Sequence, residues 1–389
     1  MPSDERGPGK PGIGTEDAVL SGSQAAKRVL ITGLSTYWGG RLAEAIESSP
    51  GVEAIVGVDS REPTRELQRT EFVRVGAEHS LIEKIVRAAG IDTVIDTRLM
   101  VDSTGGRPGS SSIHEHNVIG TLNILAACSA ADSPVRKFIF KSSGLFYGAA
   151  RDDPAFFTED LVRGHRPRTG IERDVAEVEA AVGDFRVRRP EVAVTVLRFA
   201  NILGAEVDTA FIRLLGLPMV PMIAGFDPRL QFVDETDVVH ALEHVAFNDL
   251  PGTYNVAADG VLALSEVASL LGKRPLPLIP PWGTGLATAG LRRLGLSIPP
   301  EMLDQLRFGR GMDNRVFKST GFHFRHTSRE SVLRLRGRFR MLPVAAGTRN
   351  PYRYEPEVEE FLRRSPNVLA RQGKPEEGPA RLDRPPDDR

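Results

Sequence analysis

Along the first hundred residues, short apolar runs typical of strands alternate with stretches in which apolar residues recur at helical spacing. Short runs rich in β-branched and other apolar residues predict strands, and apolar residues three and four apart predict helices. Strands that alternate with helices pair in parallel, so this pattern predicts a doubly wound α/β sheet. The predicted strands lie at 28–32, 52–59, 71–75 and 92–96, with helices from about Trp38 and at 79–89.

The remainder of the chain continues this pattern less regularly. Residues 275–281 are rich in proline and predict a connection without regular structure. Residues 1–25 and 347–389 are rich in charge, glycine and proline and are predicted to be mostly disordered, with one helix at 356–363. The other predicted elements are helices at 112–131, from Gly170, after Asp237, at 262–271 and at 286–294, and strands at 136–141 and just before Leu197.

The turn between the first strand and the first helix has the spacing of a phosphate-binding loop. It reads T-G-x-x-T-x-x-G from Thr32, with Gly33 at the tight turn, Gly39 where helix and strand approach, and Thr36 in place of the usual middle glycine. The unpaired N–H groups of a helix N-terminus favour an anion there. Because glycines at such a turn are also common for purely structural reasons, the glycine spacing alone does not predict a dinucleotide site. The loop residues predicted to bind a dinucleotide are Gly33, Ser35, Thr36, Tyr37, Trp38 and Gly39.

The second predicted strand ends in a carboxylate, which narrows the choice of cofactor. Asp59 follows Gly33 by 26 residues, near the interval of ~20 at which an acid accepts the ribose hydroxyls of NAD. Arg61 could meet the 2′-phosphate of NADP, but Asp59 would repel that phosphate. The sequence therefore predicts a Rossmann-like fold that binds NAD, with Asp59, Ser60 and Arg61 at the ribose.

Composition excludes several classes of function. The 389 residues carry 50 basic and 51 acidic side chains, so no net charge attracts nucleic acid or an anionic membrane. No apolar stretch is long enough to span a membrane, and we expect no secretory signal. The single cysteine, Cys128, cannot form a disulfide within the chain and fits a reducing compartment. We therefore expect a globular cytoplasmic protein.

Several short motifs occur in an order and spacing that are characteristic of a family. The motifs are the Thr32–Gly39 turn, Asp59, Asn117-Val118-Ile119-Gly120-Thr121, Ser142-Ser143-Gly144-Leu145-Phe146-Tyr147-Gly148, Leu197-Arg198-Phe199-Ala200-Asn201-Ile202-Leu203-Gly204, Gln231-Phe232-Val233-Asp234 with Asp237, and Gly252-Thr253-Tyr254-Asn255-Val256. With these motifs, the chain over residues 28–335 resembles extended short-chain dehydrogenase/reductases of the NAD-dependent epimerase/dehydratase family, specifically actinobacterial homologues of UDP-glucose (UDP-galactose) 4-epimerase.

The resemblance implies roles for individual residues. Ser143 takes the position of the family's catalytic Ser/Thr, which hydrogen-bonds the reacting hydroxyl or carbonyl. An arginine fork suits a diphosphate in geometry and charge, although Arg229 has an equal claim to be an ordinary surface side chain. The further cofactor positions implied are Thr97, Arg98, Asn117 and Lys141, and the substrate positions are Ser143, Asn201, Arg229, Arg310 and Asp313.

The family's catalytic pair is missing from the helix that begins at Gly170. The family has Y-x-x-x-K there, and its lysine lowers the pKa of the tyrosine so that the phenolate can take a proton. The register depends on whether Glu179 or Glu177 matches the family's helix glutamate. Neither register supplies a tyrosine. The two positions are taken by Ile171 and Val175 in the first register, and by Thr169 and Arg173 in the second.

The end of the fourth strand is a second departure from the family. It reads Asp96-Thr97-Arg98-Leu99, where the family has small apolar residues that let the cofactor pass. Arg98 could pair with the pyrophosphate or obstruct the site, and the sequence leaves both alternatives open.

Two histidine patterns resemble metal motifs. His240-Ala241-Leu242-Glu243-His244 spells the inverted zinc-protease motif H-x-x-E-H. It lies in the family's helix after Asp237 and has no evident third ligand. His114-Glu115-His116 is better interpreted as a solvated helix start, so no metal site is predicted.

Two hypotheses about function follow. The favoured one is an NAD-dependent enzyme that acts on a nucleotide sugar, in the manner of a UDP-hexose 4-epimerase, by transient hydride transfer. The alternative is a catalytically impaired NAD-binding sensor or scaffold of the same fold. The resemblance and the apolar positions Ile119, Leu122, Leu125 and Ala126 suggest a homodimer packed through two helices per subunit.

The predicted domains follow from the same pattern. Residues 26–204 plus 229–260 are expected to form the NAD-binding Rossmann-like domain. Residues 205–228 plus 261–346 are expected to form a smaller, C-terminal substrate-side domain.

Overall fold

The computed structural model describes residues 26–75, 79–102, 113–278 and 300–341, all within one compact unit, Met1–Met341. Seven of its strands form one parallel sheet, which confirms the predicted fold class. The strands are β1 (Arg28–Thr32), β2 (Ala54–Asp59), β3 (Thr70–Arg74), β4 (Thr93–Asp96), β5 (Lys137–Ser143), β6 (Phe156–Phe157), β7 (Ala193–Phe199), β8 (Asn201–Leu203), β9 (Met219–Ile223), β10 (Arg229–Leu230), β11 (Phe232–Asp234), β12 (Gly252–Val256), β13 (Leu262–Ala263), β14 (Arg274–Leu278) and β15 (Gly311–Met312).

The helices cover both faces of this sheet. β1 shows why, because Leu30 faces one apolar cluster while Val29 and Ile31 face the other, as expected when successive side chains point to opposite faces. The helices are α1 (Tyr37–Glu47), α2 (His79–Ala88), α3 (Gly120–Cys128), α4 (Gly170–Arg188), α5 (Ala210–Gly216), α6 (Glu235–Phe247), α7 (Leu264–Leu271), α8 (Pro300–Phe308), α9 (Arg315–Ser319) and α10 (Ser328–Met341).

The strand order reverses between β1 and β4, and this reversal positions the site. Strands β2 and β3 continue to one side of β1, whereas β5, β7 and β12 continue to the other side of β4. Thr32 and Asp96 are paired at the carboxyl ends of the two central strands. Ligands of doubly wound sheets bind in the crevice beyond the strand ends at such a reversal.

A third apolar cluster packs the C-terminal elements against one another. It includes Phe211 of α5, Phe232 of β11, Leu264 of α7 and Leu306 of α8. The prediction of a connection at 275–281 was wrong for its first part, because Arg274–Leu278 pairs in parallel with β9. Prolines two residues apart lack their backbone N–H groups on the same edge of a strand, so the strand can still pair through its other edge.

Other differences concern the helices. A π-helical turn, Glu115–Ile119, precedes α3 where one continuous helix was predicted, and α4 extends to Arg188. Of the four positions proposed for a dimer contact, Ile119, Leu122 and Ala126 are exposed, but Leu125 is buried in the core. The homodimer stays a prediction. Four predictions lie outside the described residues: the helices at 286–294 and 356–363 and the disordered tails at 1–25 and 347–389.

Among the described residues, no helix is both long enough and apolar enough to cross a membrane.

Candidate functional site

Thr36 stabilises the turn from β1 into α1 through two hydrogen bonds of its side chain. Gly33 has φ +82°, in the left-handed region that favours glycine. Thr36 is the N-cap of α1: its Oγ1 accepts from the Gly39 N–H at 3.1 Å and donates to the Gly33 carbonyl oxygen at 2.7 Å. A Cβ at Gly39 would lie 2.2 Å from that carbonyl oxygen. Thr36 therefore replaces the middle glycine with a side chain that fixes the turn.

Asp59 at the end of β2 is held by this loop. Its Oδ2 accepts hydrogen bonds from the N–H and Oγ of Ser35 at 3.0 and 2.7 Å, and its Oδ1 accepts from the Ser60 N–H at 2.7 Å. Asp59 and Ser60 line a cavity of about 240 Å³, which we call the nucleoside cavity, whose apolar wall includes Val58, Val75 and Ile82. An acid beside an apolar wall can bind ribose hydroxyls while a base packs on the wall.

A larger cavity of about 420 Å³, which we call the reaction cavity, lies on the other side of the β1 carboxyl end. Its volume is within the range of ligand pockets, ~300–1,000 Å³. Ser143, the last residue of β5, lines it, and the Ser143 Oγ accepts from the Leu145 N–H at 3.2 Å. The residues predicted from the sequence that meet in the reaction cavity are Thr36, Tyr37, Trp38, Thr97, Arg98, Lys141, Ser143 and Asn201.

Arg98 lines both cavities. Its Nε lies 3.3 Å from Oδ1 of the buried Asp96, and its side chain is 16% exposed. A Cβ at Gly33 would lie 2.6 Å from Arg98 Cγ, and a Cβ at Gly120 would lie 2.5 Å from a guanidinium nitrogen. Two glycines thus make room for a guanidinium between the cavities, so a dinucleotide that extends through both must pass it.

Asp96 is buried at the end of β4 without losing its hydrogen bonds. Thr32 Oγ1 donates to its Oδ1 at 2.8 Å, and Thr121 Oγ1 donates to its Oδ2 at 3.2 Å. A buried carboxylate requires such partners. These hydrogen bonds explain how the chain accommodates Asp96 and Arg98 at the end of β4.

Lys141 and Glu301, which line the reaction cavity, have pKa values shifted toward neutrality. Lys141 is buried with its Nζ 4.9 Å from the centre of the Trp38 ring, and burial lowers the pKa of Lys141 to about 8. Glu301, near the start of α8, is buried too, and burial raises the pKa of Glu301 to about 7. Sequence reasoning missed Glu301, because an acidic residue in the first turn of a helix is commonplace.

Ser142, next to Ser143, belongs to a buried ionic network. Its Oγ donates to Glu179 Oε1. Glu179 Oε2 accepts from Arg198 Nη2 at 2.7 Å and from Arg198 Nε at 3.0 Å. Arg198 Nη1 in turn donates to Tyr147 Oη at 2.8 Å. These hydrogen bonds connect α4 to β5 and β7 next to Ser143, the candidate catalytic residue.

The same network bears on the register of the missing catalytic pair. Glu179 is buried and paired, whereas Glu177 is exposed, which favours the register that puts apolar residues at both positions. Neither candidate pair is among the residues that line the two cavities. Ile171 and Val175 are buried in the core, Thr169 Oγ1 caps α4 by accepting from the Glu172 N–H at 3.2 Å, and Arg173 is exposed.

Three of the predicted substrate residues lie away from both cavities. Arg229 is exposed on β10. Arg310 donates to main-chain carbonyl groups, among them Arg151 at 3.0 Å. Asp313 accepts from the guanidinium of Arg315. Asn201 is the member of the predicted set that joins Ser143 at the reaction cavity.

Two predicted cofactor residues have other neighbours. Asn117 Oδ1 accepts from the Met100 N–H, and its Nδ2 donates to the Met100 carbonyl oxygen, both at 2.9 Å. Asn117 therefore positions the segment that carries Arg98. The Arg61 side chain is exposed and lines neither cavity.

The histidines of the metal-like motifs have other partners. His244 Nε2 lies 3.0 Å from Thr320 Oγ1, and its ring packs against Phe317 and Phe322. His114 Nδ1 lies 2.7 Å from Asp174 Oδ1. Within the described ranges, no three His, Cys, Asp or Glu side chains are grouped as metal ligands would be.

A doubly wound parallel sheet, with a glycine turn and an acid-ended second strand at the point of reversal, defines a Rossmann-like dinucleotide-binding protein. The family model described as the NAD dependent epimerase/dehydratase family matches residues 29–257. The chain belongs to this family. The family is NAD dependent, and NAD is therefore the cofactor.

The chain is also similar to curated proteins and to solved structures. Uncharacterized proteins of Mycobacterium tuberculosis and Mycobacterium bovis are 35% identical over 315 residues, covering 79% of this chain and 83% of theirs. The UDP-glucose 4-epimerase of Thermotoga maritima, solved with UDP-glucose, has a TM-score of 0.61 at 17% identity, covering 80% of this chain and 98% of that one.

The UDP-glucuronic acid 4-epimerase of Bacillus cereus, solved with UDP-glucuronic acid and NAD, has a TM-score of 0.62 at 15% identity, covering 81% of this chain and 99% of that one. At these identities the two solved structures establish the fold alone.

Proposed function

We propose that the protein is an enzyme that oxidises and re-reduces one carbon of a nucleotide sugar, with NAD as the hydride carrier. The observation that carries this proposal is the meeting of two cavities at Arg98, one lined by Asp59 and the other by Ser143. In this proposal a dinucleotide bound at Asp59 extends past Arg98 and reaches the cavity that Ser143 lines. The structural neighbours of Thermotoga maritima and Bacillus cereus were solved with UDP sugars, which supports this class of substrate.

The chain's own residues supply binding and orientation in this proposal. Asp59 accepts the ribose hydroxyls, and Arg98 offers a charge to the diphosphate. Ser143 hydrogen-bonds the reacting oxygen and holds it in place, but a lone hydroxyl is a poor base. Bound NAD⁺ supplies the oxidant that accepts the hydride and returns it.

The test is a turnover assay with defined nucleotide sugars. The purified protein is incubated with NAD⁺ and, separately, UDP-glucose, UDP-galactose or UDP-glucuronic acid, and the products are identified by NMR. We expect conversion of at least one sugar to its epimer or to a dehydrated product. Tight NAD⁺ binding without conversion of any of them would contradict the proposal and would favour a sensor or scaffold.

The first binding prediction concerns Asp59. We expect Asp59→Ala to weaken NAD⁺ binding by ~10-fold or more, since hydrogen bonds to a charged group contribute ~1.5–3 kcal/mol. Binding of NADP⁺ should change less, because the carboxylate no longer repels the 2′-phosphate. Calorimetry with both cofactors measures this, and Glu62→Gln is the control because Glu62 is an exposed neighbour paired with Arg74. Equal affinity of the unmodified protein for NAD⁺ and NADP⁺ would contradict the role of Asp59.

The second binding prediction concerns Arg98. If the guanidinium meets the diphosphate, Arg98→Ala weakens binding of both NAD⁺ and ADP-ribose by ~10–100-fold, the value of a charge-assisted hydrogen bond. Arg61→Ala removes an exposed arginine that lines neither cavity and serves as the matched control. Tighter binding by Arg98→Ala would show instead that this side chain obstructs the passage.

A further inference from the structure

The reaction cavity contains a carboxylate that has no role so far. Glu301 lies in the first turn of α8, is 5% exposed and lines the cavity together with Ser143 and Lys141. Its Oε1 has no hydrogen-bond partner among the described residues. Leaving a buried polar atom unpaired costs free energy. Such an atom is retained where a ligand or a reaction uses it.

The carboxylates around Glu301 differ from it in having cationic partners. Asp102, which also lines the cavity, pairs with Arg213, and Glu172 of α4 pairs with Arg163. Both acids, together with burial as the larger cause, raise the pKa of Glu301 to about 7. Among the described residues, the other charged groups that line the cavity are Arg98, Lys141, Glu206 and Asp208, which pairs with Arg213, and those on α8 itself are Asp304, which pairs with Arg168, and Arg307.

We propose that Glu301 is the proton-transfer residue of the reaction cavity and performs the task that the phenolate of Y-x-x-x-K performs in the family. The inference rests on the proposed function. As the hydride leaves the sugar carbon for NAD⁺, the O–H bond of the same carbon breaks, its proton passes to the Glu301 carboxylate, and the C=O bond forms. When the hydride returns, Glu301 gives the proton back to the carbonyl oxygen, so the cycle has no net redox change.

Other groups in the cavity suit this task less well. Tyr37 lines the cavity, but burial and the nearby Glu235 raise the pKa of its phenol, so it holds its proton at neutral pH. Lys141 packs against the rings of Trp38 and Phe199. An acid–base group is most efficient when its pKa lies near the working pH, and both Lys141 and Glu301 meet that condition. What distinguishes Glu301 is its carboxylate oxygen, which has no partner among the described residues.

The test compares Glu301→Gln with the unmodified protein in the turnover assay. We expect kcat to fall ~10²–10⁴-fold, the usual contribution of general acid–base catalysis, while the calorimetric affinities for NAD⁺ and the UDP sugar stay unchanged. The kcat of the unmodified protein should rise with pH through about 7, because the carboxylate accepts a proton only when ionised, and this limb should vanish in Glu301→Gln. Glu301→Asp, which keeps the carboxylate, should restore part of the rate.

The matched control is Asp304→Asn, one turn further along α8, which removes a carboxylate that does not line the cavity. It should keep its kcat and its pH profile. If the unmodified protein turns over a UDP sugar and Glu301→Gln does so equally well, the role of Glu301 is wrong while the proposed function stands. If the unmodified protein converts no nucleotide sugar, the proposed function fails and the role of Glu301 fails with it.

A second measurement needs no turnover. Because the folded-state pKa of Glu301 is raised, ionising it destabilises the folded protein as pH rises from the ordinary glutamate pKa through about 7. Glu301→Gln should therefore resist urea better than the unmodified protein above that range, and equally well below the ordinary glutamate pKa. No difference at any pH would overturn the inference, since Glu301 would then titrate like an exposed glutamate.

Discussion

Glu179→Gln should lower the free energy of unfolding by about 3–5 kcal/mol, the cost of leaving one charge of a buried pair without its partner. The side chains of Glu179 and Arg198 are only 6% and 7% exposed, and their nearest charged atoms are 2.7 Å apart. Glutamine has nearly the same shape, so the change removes the charge and little packing. Arg198 would remain buried, with its guanidinium over the ring of Phe146 at 3.6 Å as the main compensation. Urea unfolding monitored by circular dichroism measures the difference.

Two variants separate this effect from ordinary helix perturbation. Glu177→Gln removes an exposed carboxylate from the same helix and should change the free energy of unfolding by less than about 0.5 kcal/mol. The double variant Glu179→Leu with Arg198→Met removes both charges and should recover most of the loss, because apolar residues of similar volume can replace a buried ion pair. A single variant as stable as the unmodified protein would show that the pair does not hold α4 against the sheet.

The geometry of the candidate cofactor loop and of Asp59 could be predicted because it depends on residues close together in the sequence. The turn at Gly33 and Gly39, the cap at Thr36 and the acid at Asp59 all lie within 33–59, where strand and helix periods set their positions. The parallel sheet then brings the ends of β1, β2 and β4 to one edge. Local spacing together with the rules of doubly wound sheets suffices to place these residues.

The reaction half could not be predicted in the same way, because its ionisable groups acquire their properties from distant parts of the chain. The pKa of Glu301 is raised by burial and by Asp102 and Glu172, which lie far from it in the sequence. Lys141 lies in a predicted strand, and the resemblance implied a cofactor role for it, but its lowered pKa depends on burial against Trp38 and Phe199. Burial of a single polar side chain is a tertiary property that no sequence period encodes.

Gly39→Ala should be the most damaging small substitution in the cofactor loop. The new Cβ would lie 2.2 Å from the Gly33 carbonyl oxygen, 2.8 Å from the Gly33 carbonyl carbon and 3.0 Å from Leu34 Cα. All three are backbone atoms, which cannot rotate away as a side chain can. Helix α1 must therefore move away from the turn, which breaks the hydrogen bond from the Gly39 N–H to Thr36 Oγ1. We expect a loss of about 2–3 kcal/mol in the free energy of unfolding, as for other overpacked sites.

This prediction runs against helix propensity, which makes it decisive. Alanine favours a helix interior over glycine by ~1 kcal/mol, so a helix without the close contact would gain stability from the same change. Gly40→Ala provides that comparison, because its Cβ would lie 3.3 Å from the flexible Arg65 side chain and 3.5 Å from the Leu34 carbonyl oxygen, an ordinary van der Waals distance. We expect Gly40→Ala to keep or gain stability and to bind NAD⁺ normally, and Gly39→Ala to lose both stability and NAD⁺ binding in calorimetry. Equal behaviour of the two variants would mean that the close approach of α1 to β1 does not form the cofactor loop.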